Sequence, residues 1–384
     1  MQLWSIAALL VAGIITGAVF PGKLAGVFGA ATLYVFLPAL IFEGAWRLDS
    51  VAMRRMWGPI TMLAVPGVFC TAGIIAICIH YGGGIPWAGA LLLGAILSAT
   101  DPVAVLAIFK RLGLPPALTT IVESEALLND AVAVVLYRAM LATVVVASQA
   151  GALQASANAA LGTLLGIICG ALAAGLAALL LGRTQQVLAY ALLTVAGAYG
   201  SYYLAGRFDW SGIFAVLSFG VVLRMLKQKT IGAECSERTG KAWDVIAGVA
   251  NAALFFLIGT AIEMKQLGSA LPIALLTLAA VLLARFAIVY GLLEFARPKL
   301  HVAWMSVVRL AGIRGALSLA LALATPLAFP LRELIVNVTF VVVVVTLFLG
   351  LLTLGRRVKM AAQDDKALNR CGDVLVNRVQ DHFG

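Results

Sequence analysis

Two aspartates lie inside long apolar stretches of this 384-residue chain, and their chemistry constrains its function most strongly. Asp130 follows Asn129 in one such stretch, and Asp101 stands between Thr100 and Pro102 in another. An unpaired carboxylate in the hydrocarbon of a bilayer costs several kcal/mol, roughly 2.5 to 3.5 on insertion scales. Acidic side chains in such surroundings are rare and usually functional. The pair therefore indicates a site that binds a small cation or a proton.

The composition is that of a protein built almost entirely within a membrane. Hydrophobic residues make up 62% of the chain and charged residues 11%, whereas a soluble domain is about one quarter charged. The net charge of +10 does not indicate nucleic-acid binding, because the basic residues are scattered through short loops between apolar segments. The histidines and cysteines lack metal-ligand spacing, so we expect no transition-metal site and no cofactor.

Apolar segments long enough to span a bilayer, which takes about 20 helical residues, recur along the chain. They predict about twelve transmembrane helices, at 3–20, 24–43, 58–79, 87–109, 116–146, 157–181, 187–205, 210–226, 243–262, 270–295, 302–324 and 334–354. If both termini are cytoplasmic, the outside loops carry only Lys23, Arg207, Lys265 and Arg332, and most other loop lysines and arginines fall inside. This positive-inside distribution supports both the even count and the orientation.

Two of the predicted spans contain residues that interrupt helices. The fourth holds Asp101 directly before Pro102, which removes a backbone donor and pushes the preceding residue out of the helical region. The eleventh holds Arg314 between Gly312 and Gly315, and each helical glycine costs about 1 kcal/mol relative to alanine. Seven crossings separate these spans, so they run in opposite directions. Each break alone is also compatible with an ordinary kink, but the matched pair is typical of a secondary transporter site.

Helical spacing separates the charged residues of the fifth span into two faces. Asp130 and Glu123 are seven residues apart and share one face, about 10.5 Å apart along the axis. Glu123 could therefore line a path to Asp130 without touching the same ion. Glu125 and Asn129 occupy another face. Asn129 could steer Asp130 by a hydrogen bond or pair with a neighbouring backbone group.

Buried charges are expected to pair, because an unpaired one costs several kcal/mol. The arginines within the predicted spans are Arg138, Arg285, Arg309 and Arg314. Arg314, at the second break, is the expected partner of Glu125, which leaves Asp130 without a fixed counter-charge. Burial then favours the neutral carboxyl, so H+ and a metal cation would compete for it. Alternatively, Glu123, Glu125, Arg285 and Arg309 form ion pairs that only hold helices together.

In these residues the chain resembles sodium/proton antiporters of the NhaP/NHE type. The matching segments occur in the family's order and on the expected spans, at 99–105, 127–131, 282–285 and 312–318. The resemblance implies an all-α polytopic membrane protein with inverted repeats and two broken crossing helices, an NhaA-like antiporter fold. It also implies a homodimer. The transmembrane domain, 1–360, would combine core helices at about 58–146 and 270–354 with dimerisation or linker helices, and 361–384 would be a short cytoplasmic tail.

The function implied by the resemblance is electroneutral exchange of a monovalent cation, Na+ or else Li+ or K+, for H+ by alternating access. Asp130, Asp101 and Thr100 would bind the cation, and the Asn129–Asp130 pair is similar to that of the electroneutral branch. Glu125 and Arg314 resemble the ion pair that steadies the core, and Glu123, Arg285 and Ser98 are candidate pathway residues. No catalytic residue is expected. We expect an integral protein of a bacterial inner membrane, surrounded by lipid.

One departure from the resemblance bears on the ion. The family usually has a serine where this chain has Ala126, one turn before Asp130 on the same face. A water molecule, Ser98 or Glu123 could supply the missing oxygen. The family also often has a thirteenth, N-terminal span. The alternatives are a K+/H+ antiporter of the same fold and a cation or proton channel, which would need inverted breaks less.

Overall fold

The computed structural model of the chain is helical throughout the part that it describes. The described residues are 3–19, 25–48, 50–102, 105–106, 109, 116–145, 149–182, 186–227, 231–261, 264–297, 300, 302–350 and 352–353. In chain order the helices are α1 (Leu3–Val19), α2 (Ala25–Arg47), α3 (Ser50–Arg55), α4 (Trp57–Ala64), α5 (Pro66–Gly83), α6 (Trp87–Ser98), α7 (Pro116–Val145), α8 (Gln149–Leu181), α9 (Val187–Arg207), α10 (Gly212–Lys227), α11 (Ala233–Ala261), α12 (Met264–Leu292), α13 (Val302–Ala311), α14 (Ala316–Ala324) and α15 (Arg332–Gly350). The predicted tail, 361–384, lies outside the described residues.

Seven segments in the described ranges are long and apolar enough to cross a membrane. They are Trp57–Gly83, Ala157–Leu181, Val187–Arg207, Glu234–Leu257, Leu267–Leu292, Trp304–Ala324 and Arg332–Gly350. The all-α membrane class is thereby confirmed, whereas the count of twelve and the inverted repeat stay predictions. The predicted span 58–79 differs in detail, because a turn at Val65 separates α4 from α5. Pro66 has no N–H and therefore begins a helix more readily than it continues one.

Both predicted interruptions are present. After α6 the chain is extended at Ala99, with φ −61° and ψ 144°, and it remains non-helical to Pro102. Between α13 and α14 it is non-helical at 312–315. The two open segments touch, since the backbone N–H of Asp101 donates to the carbonyl of Ile313 at 2.8 Å. Each break thus satisfies a backbone group that the other exposes.

The two open segments meet at what we call the crossing, which lies in the interior of the protein, whereas α8 lies at its edge. Of the apolar window in Trp304–Ala324, 78% is buried inside the protein, against 33% in Ala157–Leu181. Small residues let other helices approach closely, as membrane packing requires. A Cβ added to Gly13 of α1 would lie 2.9 Å from the Cα of Gly259 in α11, so this contact needs glycine. The high burial of Trp304–Ala324 places the second open segment inside the helix bundle.

Candidate functional site

A cavity of about 320 Å³ opens onto the crossing. Its walls come from α2, α7 and α11 and from both interrupted segments. The charged and polar residues that line it are Glu43, Arg47, Thr100, Asp101, Glu123, Asp130, Asp244, Asn251 and Ser318. The structure therefore brings Asp130, Asp101, Thr100 and Glu123 to one cavity.

Asp130 is held by the backbone of the first break. Its Oδ1 accepts a hydrogen bond from the N–H of Thr100 at 3.2 Å. In a continuous helix this N–H would bond to the carbonyl four residues earlier, at Ile96. The extended conformation of Ala99 redirects it to the carboxylate. Within the described ranges, no salt bridge to Asp130 is found.

Asn129 acts on Thr100 and not on the neighbouring carboxylate. Its Nδ2 donates to the Thr100 hydroxyl oxygen at 3.0 Å, and both residues are buried. Thr100 is therefore tied twice to α7, by its N–H to Asp130 and by its hydroxyl to Asn129. These bonds fix the distance between the open segment and α7. Within the described ranges, Asn129 makes neither of the bonds considered from the sequence, to Asp130 or to a neighbouring backbone group.

Asp101 packs against the start of α14. A Cβ added to Gly315 would overlap the carboxylate and the Cβ of Asp101. Gly315 has φ −144°, which is ordinary extended backbone, so glycine is required here for space and not for conformation. The N–H groups in the first turn of a helix lack intrahelical partners and favour a nearby anion. Asp101 thus has a structural reason to stay at the crossing.

Arg314 lies at the other end of this contact and interacts with the C-terminal end of α6. Its Nη1 donates to the carbonyl of Ala99 at 3.3 Å, and the side chain is 1% exposed. A helix C-terminus carries partial negative charge and unpaired carbonyls, which a guanidinium compensates. Each break therefore supplies a charged side chain to a helix end beside the other break. The sequence showed both charged residues but not that each lies at a helix end beside the other break.

The predicted partner of Glu125 was wrong. Glu125 forms a two-pronged salt bridge with Arg285 of α12, at 2.5 Å for Nη1–Oε1 and 2.9 Å for Nη2–Oε2. Arg285 Nη2 also donates to the Val308 carbonyl at 2.8 Å. A Cβ on Gly312 would overlap the Arg285 side chain, so the second break makes room for this guanidinium. Arg314, the expected partner, is instead directed to Ala99.

The candidate pathway residues differ in whether they are available to line the cavity. Glu123 lines the cavity, whereas Arg285 is taken up by the ion pair. Ser98 donates its hydroxyl to the Ala95 carbonyl of its own helix at 2.7 Å and is not among the residues that line the cavity. Of the three, only Glu123 is placed to contribute to a path.

The mouth of the cavity holds a cluster that the sequence did not reveal. Arg47 of α2 contacts Glu43 one turn earlier at 2.6 Å and Asp244 of α11 at 2.5 Å. Glu123 of α7 also acts electrostatically on Arg47. We call these four residues the mouth cluster. The spacing of Glu43 and Arg47 was a visible signal, but the approach of α11 was not.

Comparisons with known proteins place these residues in a family. Residues 2–359 match the family described as sodium/hydrogen exchanger, transmembrane. The chain is 34% identical over 330 residues to the low-affinity Na+/H+ antiporter NhaS1 of a Synechocystis species, covering 83% of this chain and 62% of that protein. It is 31% identical over 353 residues to the Na+/H+ antiporter ApNhaP of Aphanothece halophytica, covering 90% and 68%.

The Na+/H+ antiporter NhaP of Pseudomonas aeruginosa is 30% identical over 356 residues, with 86% of this chain and 81% of that protein covered. Among solved structures, the sodium proton antiporter MjNhaP1 of Methanocaldococcus jannaschii superposes with a TM-score of 0.75 at 21% identity. That match covers 93% of this chain and 91% of the other and shows a shared fold. The predicted resemblance is confirmed: the chain belongs to the sodium/hydrogen exchanger family, whose members are secondary transporters and not enzymes.

Proposed function

We propose that this chain exchanges a monovalent cation, Na+ in the first instance, for H+ across the membrane. The observation that carries the proposal is the setting of Asp130. Its carboxylate borders a cavity and accepts one backbone N–H, with no salt bridge to it in the described ranges. The relatives of the chain named above are Na+/H+ antiporters, although the chain spans only 62% of the length of NhaS1.

Competition at one carboxylate produces the exchange. In a poorly hydrated site an unpaired charged carboxylate is energetically unfavourable. Either a bound proton or a bound cation neutralises it. The two cannot share the group fully, because the proton removes the negative charge that attracts the cation. One positive charge therefore moves in each direction, and the cycle is electroneutral. Asn129 adds no second charge beside Asp130.

Oxygen ligands for the cation come from the same segment. Hard cations prefer oxygen, and carbonyls released at broken helices commonly supply it. We assign the carboxylates of Asp130 and Asp101 and the oxygen atoms of Thr100 to the cation, with Asn129 holding Thr100 in place. Glu125 and Arg285 act as a structural pair. Arg314 stabilises the break.

Access would alternate by movement of one helix group past another. The cavity is lined by residues of α2 and α11 together with residues of α7 and the two breaks. This arrangement agrees with a core of about 58–146 and 270–354 moving against the remaining helices of domain 1–360. The proposal also includes a homodimer in a bacterial inner membrane, with both termini cytoplasmic. Those features rest on the resemblance and on the loop charges.

The test uses the full chain in liposomes that contain a pH-sensitive dye, with Na+, Li+, K+ or choline added outside. Wild type should move protons in response to at least one metal cation, and Asp130→Asn should fall to the level of empty liposomes. Asp209→Asn is the matched control, because Asp209 is exposed and has φ 57°, which asparagine tolerates. This control should behave as wild type.

Three outcomes of that assay would change the proposal. Exchange by Asp130→Asn at the wild-type rate would refute the assignment of the carboxylate. A response to K+ but not to Na+ would establish the K+/H+ alternative. Proton flux that follows the membrane potential without any opposing cation gradient would indicate a channel.

A further inference from the structure

Ser318 has an unusual hydroxyl within the same cavity wall. It is the third residue of α14, and its relative exposure is 0%. Its Oγ is enclosed and has no hydrogen-bond partner among the described residues. The residue nevertheless lines the cavity together with Asp130, Asp101 and Thr100. A buried hydroxyl without a partner costs about 1–3 kcal/mol.

The second break explains why this hydroxyl lacks its usual partner. Serine and threonine in helices commonly donate to a carbonyl three or four residues earlier. Thr71 and Thr277 do so here, to Gly67 at 2.7 Å and to Ile273 at 2.6 Å. For Ser318 those carbonyls belong to Arg314 and Gly315, where the chain is not helical. Ser318 therefore lines the cavity without the hydrogen bond that a continuous helix would otherwise provide to its hydroxyl.

A cation at Asp130 also has one oxygen fewer than it might have from α7. Ala126 lies one turn before Asp130 on the same face, is buried and offers only a methyl group. Asn129 occupies the Thr100 hydroxyl with an N–H donor, although the hydroxyl oxygen has a second lone pair. An additional neutral oxygen from the cavity lining would complete the set without altering its charge.

We propose that the Ser318 hydroxyl is an oxygen ligand of the monovalent cation at the Asp130 site. This inference rests on the proposed antiport function. Rotation about the Cα–Cβ bond is enough to redirect the hydroxyl, because a serine oxygen has three staggered positions. A neutral ligand stabilises the bound cation without stabilising the protonated carboxyl in the same degree. Ser318 therefore sets cation affinity and selectivity, while Asp130 sets the exchange itself.

The experiment measures proton movement against cation concentration for Na+, Li+ and K+ in liposomes. Ser318→Ala should raise the half-saturating Na+ concentration about tenfold, which corresponds to about 1.4 kcal/mol, with the maximal rate retained. The ratio of Na+ to K+ half-saturation should also change. Ser318→Cys keeps the side-chain volume but replaces oxygen by sulfur, and it should show the same loss of Na+ affinity.

Ser124→Ala is the matched control. Ser124 is also fully buried, and its hydroxyl has no partner among the described residues, but it lies inside α7 and is not among the cavity-lining residues. It should keep wild-type affinities. Wild-type Na+ dependence in both Ser318 variants would overturn the inference, as would equal shifts in Ser124→Ala and Ser318→Ala. Those results would not contradict the proposed antiport function. Absence of cation-driven proton movement in wild type would contradict that function itself.

Discussion

Two carboxylates on α7, five residues apart, have opposite surroundings. Glu125 is 1% exposed and both of its oxygens accept hydrogen bonds from Arg285. Asp130 is half-buried beside the cavity and accepts the backbone N–H of Thr100. A permanent guanidinium neutralises the first group whatever the ion concentrations are. The second forms no salt bridge in the described ranges, so exchangeable ions can neutralise its charge.

The comparison teaches that an acid within a membrane helix is not by itself a transport site. What distinguishes the two is which groups the neighbouring helices bring to them. For Glu125 that group is a side chain of α12 with two parallel donors. For Asp130 it is a backbone amide that an interrupted helix released.

Removal of the guanidinium should break the Glu125 region most severely. Arg285→Ala leaves a buried, unpaired carboxylate, and such a change costs about 3–5 kcal/mol. We expect low yield of folded protein and a clearly lower melting temperature in detergent. The double variant Glu125→Gln with Arg285→Met should recover most of the stability, because no buried charge then remains. Normal melting of the single variant would show that the pair is not structural.

Gly315→Ala tests the contact between the two breaks. The added methyl group would overlap the Asp101 side chain, and overpacking of this kind costs about 1–3 kcal/mol. We expect a protein that folds with reduced stability and exchanges cations slowly, as judged by melting and by the liposome assay. Gly175→Ala in α8 is the control, since no atom of the described residues lies within 4 Å of its added Cβ. If both variants transported equally well, the close crossing would be unimportant.

Asn129→Ala should loosen the Asp130 region without removing its charge. The lost bond from Nδ2 to the Thr100 hydroxyl is worth about 1 kcal/mol. A several-fold rise in the half-saturating cation concentration should follow, with exchange still measurable. The control is Asn251→Ala, which removes another side-chain amide from the cavity lining. A larger effect at Asn251 than at Asn129 would contradict the role assigned to the Thr100 bond.

The mouth cluster should respond least. Its ion pairs are partly exposed, with 33% exposure for the Arg47 side chain and 43% for Asp244, and such pairs contribute about 0–1 kcal/mol. Arg47→Gln should hardly alter melting. It removes a positive charge from the entrance, so cations should enter more readily, by about two- to threefold at low salt and less at high salt. An effect independent of ionic strength would argue against electrostatic attraction at the mouth.

The features that local chemistry determines were predictable from the sequence. Pro102 and the glycines at 312 and 315 interrupt their helices wherever those helices are placed, and both breaks were predicted correctly. The partner of Glu125 was not, because the choice between Arg285 and Arg314 depends on the relative placement of α7, α12 and the second break. Helical phase placed Glu125 away from Asp130 but gave no distance to either arginine.

The mouth cluster and Ser318 show the same limit. Arg47 and Asp244 are nearly two hundred residues apart in sequence, so their contact depends on how α2 meets α11. Ser318 follows a predicted break, which hints that its hydroxyl lacks a helical carbonyl. Its position in the cavity lining depends on how the two interrupted segments pack against each other. Sequence therefore identified the candidate chemistry, and tertiary structure decided which charges are paired.

Competition between ions tests the role of Asp130 most directly. In liposomes at a series of pH values, the half-saturating Na+ concentration of wild type should rise as the pH falls. In the range where the carboxyl is mostly protonated, the rise should approach about tenfold per pH unit, as expected for one proton displaced by one cation. The maximal rate should stay nearly constant. A half-saturating concentration that does not change with pH, with only the maximal rate affected, would contradict a shared site.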